Sequence, residues 1–341
     1  MTAARSSSVR PDTTFFTVSD ERFFPGAVCL LNSLRLSGND AELVILDAGL
    51  SASQRKRLEP HARLVTPTDE LLAEHLLLKA YPHTLDPSGT VVVIDSDMMV
   101  TRPLDPVLEQ VESGSVCLFA DIEDQRHRFV PEWQEAFGLG APLRRQNYMN
   151  AGFIALSTHH HPDLLRRYWE LCQRIPSERT LVGGAEYDQP FWGGDQDAIN
   201  ALLMSEVDAS AVVELPAEEG PSPELLHDVE VVDERTLACE LHGHAPYLMH
   251  YWGGPKPWAP NAWMRVSRDA YVRLMPRVLF GADAPVRLDP GEVPVWLRPS
   301  RRGRATLLVL SAINRTARWV LARLPDDARR RFARAVRRLA R

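Results

Sequence analysis

Apolar residues in this chain fall into short strand-length runs separated by stretches with helical period. Residues 91–94, Val91-Val92-Val93-Ile94, are an apolar β-branched run, the pattern of a strand buried on both faces. Residues 13–18 predict a first strand and residues 43–46 a second. Between them Pro25 suits a helix's first turn, Val28, Leu31 and Leu34 share a face, and Gly38 is a stop. A strand, helix and strand in that order predict parallel strands joined by a right-handed connection. A leucine-rich helix over residues 70–80, carrying His75 and Lys79, leads to the run at Val91. After it, Pro103-Leu104-Asp105-Pro106 starts a short helix, and residues 115–119 and 150–156 return as strands. Pro162, Leu164, Leu165 and Trp169 begin an amphipathic helix, and residues 195–203 form another with an acidic first turn, as helix polarity favours. The whole reads as an α/β fold.

Two segments break the period. Residues 121–148 are polar and Arg-rich, and residues 183–194 are Gly-rich. A long irregular stretch inside a domain either covers a ligand or is a plain surface excursion. Residues 1–12 predict a flexible start, and acidic residues 218–234 a solvated loop with an edge strand.

Chemistry concentrates where strands should end. Asp95-Ser96-Asp97 follows the buried run, and ligands of open α/β sheets sit beyond the carboxyl ends of the strands. Carboxylate oxygens suit Mg²⁺ or Mn²⁺, with phosphates completing the shell, so the triplet reads as a metal-diphosphate site. Asp20, after the first strand, is either a contact for a nucleotide or a helix cap. Asn150-Ala151-Gly152 offers small residues that let backbone approach a ligand. In His250-Tyr251-Trp252-Gly253-Gly254-Pro255-Lys256-Pro257-Trp258, a strand delivers His250, two glycines permit an unusual backbone, and Lys256 is fixed before Pro257. An imidazole ligand tilts a metal site towards Mn²⁺, and an ammonium beside a diphosphate offsets charge that grows as a bond to it breaks. His159-His160-His161 precedes a helix, and its consecutive side chains point different ways, so it reads as a helix start rather than a metal tract.

Composition changes the picture in two places. Cys29, Cys117, Cys172 and Cys239 are scattered, with no paired spacing, which predicts a reducing cytoplasm rather than a disulfide framework or zinc site. No apolar run of signal-peptide or membrane-spanning type is present, and neither a G-x-G-x-x-G nor a P-loop occurs. The net charge of −6 is uneven: residues 301–341 hold 13 arginines against Asp326 and Asp327, a net of +11, which leaves −17 for the rest.

Together, Asp95-Ser96-Asp97, Asn150-Ala151-Gly152, Asp195-Gln196-Asp197 and the run from His250 to Trp258 resemble glycosyltransferase family 8, which includes glycogenin and bacterial lipopolysaccharide galactosyltransferases. The resemblance covers residues 13–258, in order and at compatible spacing. It implies a GT-A fold (a Rossmann-like nucleotide-diphospho-sugar transferase) over residues 13–300. The implied activity is retaining transfer of a hexose from a UDP-sugar to a glycan or lipid-linked acceptor. On that resemblance Asp95, Asp97 and His250 would ligate Mn²⁺ (or Mg²⁺). Ser96, Lys256 and Gly253 would hold the diphosphate, Asp20 would face the uridine, and Asn150 would line the sugar pocket with Asp195 and Gln196. Gln196 would lie near the anomeric carbon, with Asp195 or Asp197 as covalent alternatives. Relatives carry a basic residue on the helix before the Asp-x-Asp strand; here Leu77 falls at that position, and Lys79 is the cation nearby.

Residues 301–341 form a separate basic, amphipathic helical tail. Residues 305–323 are apolar-rich and contain Trp319. Asp326-Asp327 then begins a helix on which Phe332, Val336 and Leu339 share a face among arginines. Such helices lie in the headgroup plane of anionic membranes, which predicts a cytoplasmic protein peripheral on the inner face of the cell membrane. The acidic body has no aromatic-basic platform for nucleic acid. The rival reading is a non-catalytic, membrane-peripheral nucleotide-sugar-binding protein of the same fold.

Overall fold

The structure is a computed structural model that describes residues 12–68 and 77–323. The flexible start, the part of the 70–80 helix that holds His75, and the tail helix of Phe332, Val336 and Leu339 lie outside the described residues, wholly or nearly so.

A seven-stranded sheet organises the chain in the order β3-β2-β1-β4-β7-β6-β8. Its strands are β1 (Thr13–Ser19), β2 (Glu42–Asp47), β3 (Arg63–Val65), β4 (Thr90–Ile94), β6 (Val116–Ala120), β7 (Met149–Ser157) and β8 (Val212–Leu215). β1 runs parallel to β2 and β4, as the strand-helix-strand pattern predicts. β7 is antiparallel to both β4 and β6, so the sheet is mixed. Apolar runs buried on both faces look the same in either direction, which is why the pattern did not foretell it.

Every residue of β4 is buried. Its alternate residues feed two cores. Val92 and Ile94 join Phe15 and Ile45 under α1 (Phe24–Leu36), α3 (Asp105–Glu112) and α6 (Ala270–Phe280). Val91 and Val93 join Phe16, Val44 and Leu46 under α4 (Leu164–Cys172) and α5 (Asp195–Ser205). α2 (Ala52–Leu58) starts with a capping box at Ser51 and Gln54.

Two further pairings matter to the site. β5 (Met98–Val100) pairs antiparallel with β11 (Leu248–His250), setting His250 opposite Met98. β9 (Glu230–Asp233) pairs with β10 (Ala238–Glu240) in the acidic stretch expected to hold an edge strand. α7 (Arg301–Ala322) packs back on the body: Leu307 is buried, and Asn314 Nδ2 donates to the carbonyls of Trp263 and Val266, both at 2.9 Å.

The turn after β4 is held from beneath. Trp258 Nε1 donates to the Arg22 carbonyl at 2.9 Å, and Trp296 Nε1 to the Pro257 carbonyl at 2.9 Å. Gly26 lies where α1 passes between them: a Cβ there would stand 2.5 Å from the Ser96 carbonyl oxygen and 2.6 Å from the Trp258 ring. Neither neighbour is free to retreat. Gly26→Ala should therefore cost about 1–3 kcal/mol by overpacking, read by urea unfolding, in spite of alanine's better helix propensity. An unchanged or raised stability would show that the Asp95 turn is not pinned there.

Candidate active site

Asp95, Ser96 and Asp97 emerge where β4 ends, and the backbone fixes the turn. Asp95 N donates to the Gly152 carbonyl at 2.8 Å, Met98 N to the Asp95 carbonyl at 3.0 Å, and Tyr251 N to the Asp97 carbonyl at 3.1 Å. The β5–β11 ribbon carries His250 across to the same place. Gly152 makes room for it: a Cβ there would lie 2.5 Å from His250 Cε1. Asp95, Asp97 and His250 each offer a ligand atom, all within 4.8 Å of one another.

These groups fit a divalent cation. Asp97 Oδ1 and His250 Nε2 are buried without a hydrogen-bond partner, although they stand 3.2 Å apart. Buried polar atoms are rarely left so, and an oxygen, oxygen and nitrogen donor set suits Mn²⁺ or Mg²⁺. Asp95 keeps 21% of its side chain exposed, which opens the cluster to a cleft.

Two lysines balance the carboxylates. Lys256 Nζ stands 2.5 Å from Asp97 Oδ2, donates to the Tyr251 carbonyl at 2.9 Å and lies over the Phe23 ring. Gly253 and Gly254, both at positive φ, form the turn that returns Lys256 to the cluster. Lys79 Nζ bridges Asp95 Oδ1 at 2.9 Å and Asp195 Oδ2 at 3.2 Å. Burial works against the Lys79 ammonium, but Asp195 and Asp95 outweigh it and hold its pKa above the ordinary lysine value. The same competition splits the two aspartates. For Asp95 burial wins and its pKa rises, helped by the charge of Asp97. For Asp97 burial is overcome by Lys256 and His250, and its carboxyl sits below the usual range.

The cleft beside this cluster has a volume of about 430 Å³ and is lined by Asp20, Arg22, Lys79, Ser96 and Lys256 among others. Asp20 lines the cleft, and its Oδ1 accepts from Phe23 N at 2.8 Å before α1. Gln196 and Asn150 meet on the neighbouring strand end. Gln196 Oε1 accepts from Ala151 N at 3.0 Å, and Asn150 Oδ1 from Gly152 N at 2.9 Å. Asp195 lies at the α5 start with Tyr168 OH 3.4 Å away.

Asp197, one of the two covalent alternatives, does not open to the cleft. Its side chain is fully buried, takes Arg128 Nε and Nη2 at 2.8 Å each, and accepts from Tyr148 OH at 2.8 Å and Gly193 N at 2.6 Å. Its place one turn into α5 turns it inward, away from Asp195. The His160 and His161 ring nitrogens meet the carbonyls of Glu112 and Gly114.

Two participants escaped the sequence reading. Asp121 directly follows β6, as Asp95 follows β4, and its Oδ2 accepts from Gln196 Nε2 at 2.6 Å; burial raises its pKa. The same strand-end rule that singled out Asp95 would have found it. Arg128 gave no such signal. Its guanidinium is caged by Trp133, Tyr187 and Trp192 and donates to the carbonyls of Tyr187 and Gln189, which ties both irregular segments to α5.

The fold is the GT-A fold, a mixed α/β sheet that here carries strand-end carboxylates, a returning histidine and a cleft lined by charges of both signs. Solved structures carry the same fold. The bifunctional glycosyltransferase WbbM in its apo form matches 84% of this chain at 17% identity with a TM-score of 0.52, and the chain spans about half (51%) of that structure's length. The galactosyltransferase LgtC, solved with donor and acceptor sugar analogues, matches 79% of this chain and 98% of its own at 15% identity and a TM-score of 0.52. An active-site mutant of LgtC matches 76% of this chain and 94% of its own at 16% identity and a TM-score of 0.50. These neighbours are the family-8 type of glycosyltransferase that the motifs resemble. No protein-family model and no curated protein sequence matches the chain.

Removing the Asp197 charge strands a buried guanidinium. Asp197→Asn should destabilise the fold by about 3–5 kcal/mol in urea unfolding, the cost of breaking a buried pair from one side. Stability within about 0.5 kcal/mol of the unaltered protein would return Asp197 to the list of candidate nucleophiles.

Proposed function

We propose that this protein is a retaining, metal-dependent hexosyltransferase that moves a sugar from a UDP-sugar to a glycan or lipid-linked acceptor. The observation that carries it is the pair of buried, unpartnered ligand atoms, Asp97 Oδ1 and His250 Nε2, beside a cleft that also holds Lys256. A cation held by Asp95, Asp97 and His250 would act as a Lewis acid on the diphosphate. Ser96, Gly253 and Lys256 would hold that diphosphate, and Asp20 the uridine end. Asn150, Asp195 and Gln196 would surround the sugar. LgtC, of the same fold, was solved with donor and acceptor sugar analogues, which supports the reading of the cleft as a donor site.

In the transfer, the acceptor hydroxyl oxygen bonds to the anomeric carbon as the bond from that carbon to the phosphate oxygen breaks. The hydroxyl proton passes to the departing diphosphate, whose growing charge Lys256 offsets. Retention requires attack from the face the diphosphate leaves, or a covalent intermediate. Asp195 is paired with Lys79, Asp197 with Arg128, and the Gln196 amide, a poor nucleophile, is held by Asp121 and Ala151. Same-face attack follows. Lys79 would take the place of the basic residue of the relatives, since its Nζ reaches Asp95 and Asp195.

The tail would seat the enzyme on an anionic inner membrane surface. On α7, Leu308, Val309, Ile313 and Trp319 are exposed among Arg301, Arg302, Arg304 and Arg315. No helix among the described residues is long and apolar enough to cross a membrane, and an interfacial position suits this pattern.

Calorimetry of UDP with and without Mn²⁺ tests the site. Binding should strengthen at least about tenfold with Mn²⁺, and Asp97→Asn should abolish that gain. If the folded protein binds no UDP under either condition, the donor nucleotide is wrong; if no nucleotide diphosphate binds, the non-catalytic reading replaces this one. Co-sedimentation with vesicles tests the surface. Binding should require anionic lipid and fall as salt rises from about 0.1 to 1 M. Equal binding to neutral vesicles would contradict the electrostatic reading.

A further inference from the structure

Residues 20–25 separate two cavities. Asp20 and Phe23 line the donor cleft, Glu21, Phe24 and Pro25 line a cavity of about 1130 Å³, and Arg22 lines both. The floor of the larger cavity includes Trp258 and Trp296, which buttress the returning loop, and α7 forms one wall. It meets the donor cleft at the Asp20 end. Asn150, Asp195 and Gln196, where an acceptor hydroxyl has to arrive, are not among its lining residues, so it is no acceptor subsite.

The lining of this one cavity changes character along α7. Arg302, Thr306 and Leu310 follow one another at single-turn intervals on one face of the helix and all line it, so a cation and an apolar group stand about 12 Å apart along the wall. The other lining residues are graded in the same direction. Arg298 belongs to the Arg302 end, because Gly303 packs against the Arg298 carbonyl with no room for a Cβ. Trp263, 50% exposed, belongs to the Leu310 end, because its carbonyl takes Asn314 Nδ2 at 2.9 Å. Charge is unbalanced at the first end. Glu292 is engaged by Arg57 Nη1 at 2.6 and 2.8 Å, which leaves Arg22, Arg298 and Arg302 in the lining against the Glu21 carboxylate. Among the described residues none of these three arginines has a carboxylate partner. The first turn of α7 adds Arg301 and Arg304 and no acidic residue, the reverse of what helix polarity favours. A cationic end joined within one cavity to a tryptophan-lined apolar end matches an anionic headgroup that carries hydrocarbon.

We infer that this cavity seats one anionic phospholipid, with its phosphate on Arg298 and Arg302 and the start of its chains between Trp263 and Leu310. The inference rests on the membrane reading of α7 and sharpens it, because attachment is then to a single lipid in a built site as well as to the charged surface at large. The volume allows it, being above the roughly 300–1,000 Å³ of ordinary small-molecule sites. Since Trp258 and Arg22 belong to both the seat and the support of the donor loop, the lipid would hold the nucleotide end of the cleft at the membrane.

The test uses the full chain and dihexanoyl phosphatidylglycerol below its micelle concentration, followed by calorimetry. Glycerol 3-phosphate, which lacks the chains, and dihexanoyl phosphatidylcholine, which lacks the net charge, are the controls. The phosphatidylglycerol should bind saturably, one per protein molecule, and at least about tenfold more tightly than either control. Arg302→Glu, at an exposed position, should weaken it about tenfold or more, the worth of a charge-assisted hydrogen bond. Arg268→Glu, exposed beside α7 but outside the cavity, should leave it unchanged. Equal binding of glycerol 3-phosphate would reduce the site to one for free phosphate, and equal binding of the phosphatidylcholine would remove the anion; either overturns the inference. So does an Arg302→Glu protein that binds like the unaltered one, or an Arg268→Glu protein that loses binding as well, which would mark diffuse attraction. Vesicle co-sedimentation on the same samples keeps the two readings apart. Sedimentation with anionic vesicles but no saturable binding of the short lipid would strike the seat and leave the membrane reading standing, whereas loss of both would strike the membrane reading itself.

Discussion

Three carboxylates, Asp95, Asp97 and Asp195, crowd the end of β4, and balancing their charge is the constraint on which the surrounding structure depends. Two like charges about 4 Å apart repel by about 4 kcal/mol at an effective dielectric of about 20. Lys79 spans Asp95 and Asp195, and Lys256 closes on Asp97. Asp97 Oδ1 and His250 Nε2 stand 3.2 Å apart, both buried and without a hydrogen-bond partner. With Asp95 they form a group of ligand atoms close enough together to hold a cation.

That arrangement is assembled from distant parts of the chain. Lys79 comes from the segment before β4, and the glycine turn after β11 supplies Lys256. His250 depends on the β5–β11 ribbon, which needs the chain to return after about 150 residues. Trp258 and Trp296 then buttress the returning loop from the side of α1, and Gly26 is the close approach that this stacking demands. Mutations beneath the loop thus act on the site through position, without touching a ligand.

Much of this was legible in the sequence, for a definite reason. Strand-end residues carry their location with them, so Val91 to Ile94 placed Asp95 and Asp97, and glycines before Lys256 marked a backbone conformation other residues resist. Contacts that depend on tertiary pairing carry no such mark. The direction of β7 is invisible because a strand buried on both faces has no polar side to orient it. Arg128 lies in an irregular segment 69 residues from Asp197, and an arginine in a polar stretch reads as solvated unless its cage is known. Leu77 and Lys79 show the limit of alignment by position: charge is what the carboxylates require, and a lysine two residues on satisfies it.

The Arg128 cage also bears on how the proposed retention would be achieved. An aspartate nucleophile must be ionised, free to move about an ångström towards the anomeric carbon, and exposed to it. Asp197 fails the second and third conditions, because four donors hold it and no surface of it is open. Asp195 is bound by Lys79, and moving it towards a sugar would uncover an ammonium that also serves Asp95. The remaining group on that face is the Gln196 amide, fixed at both ends and uncharged. A face so equipped can stabilise a developing oxocarbenium ion through the Gln196 carbonyl dipole and the nearby carboxylates, but offers no group to bond with it. In the proposed transfer the acceptor hydroxyl, arriving on the side of the departing diphosphate, would then be the nucleophile, and the geometry of its cleft would govern the outcome.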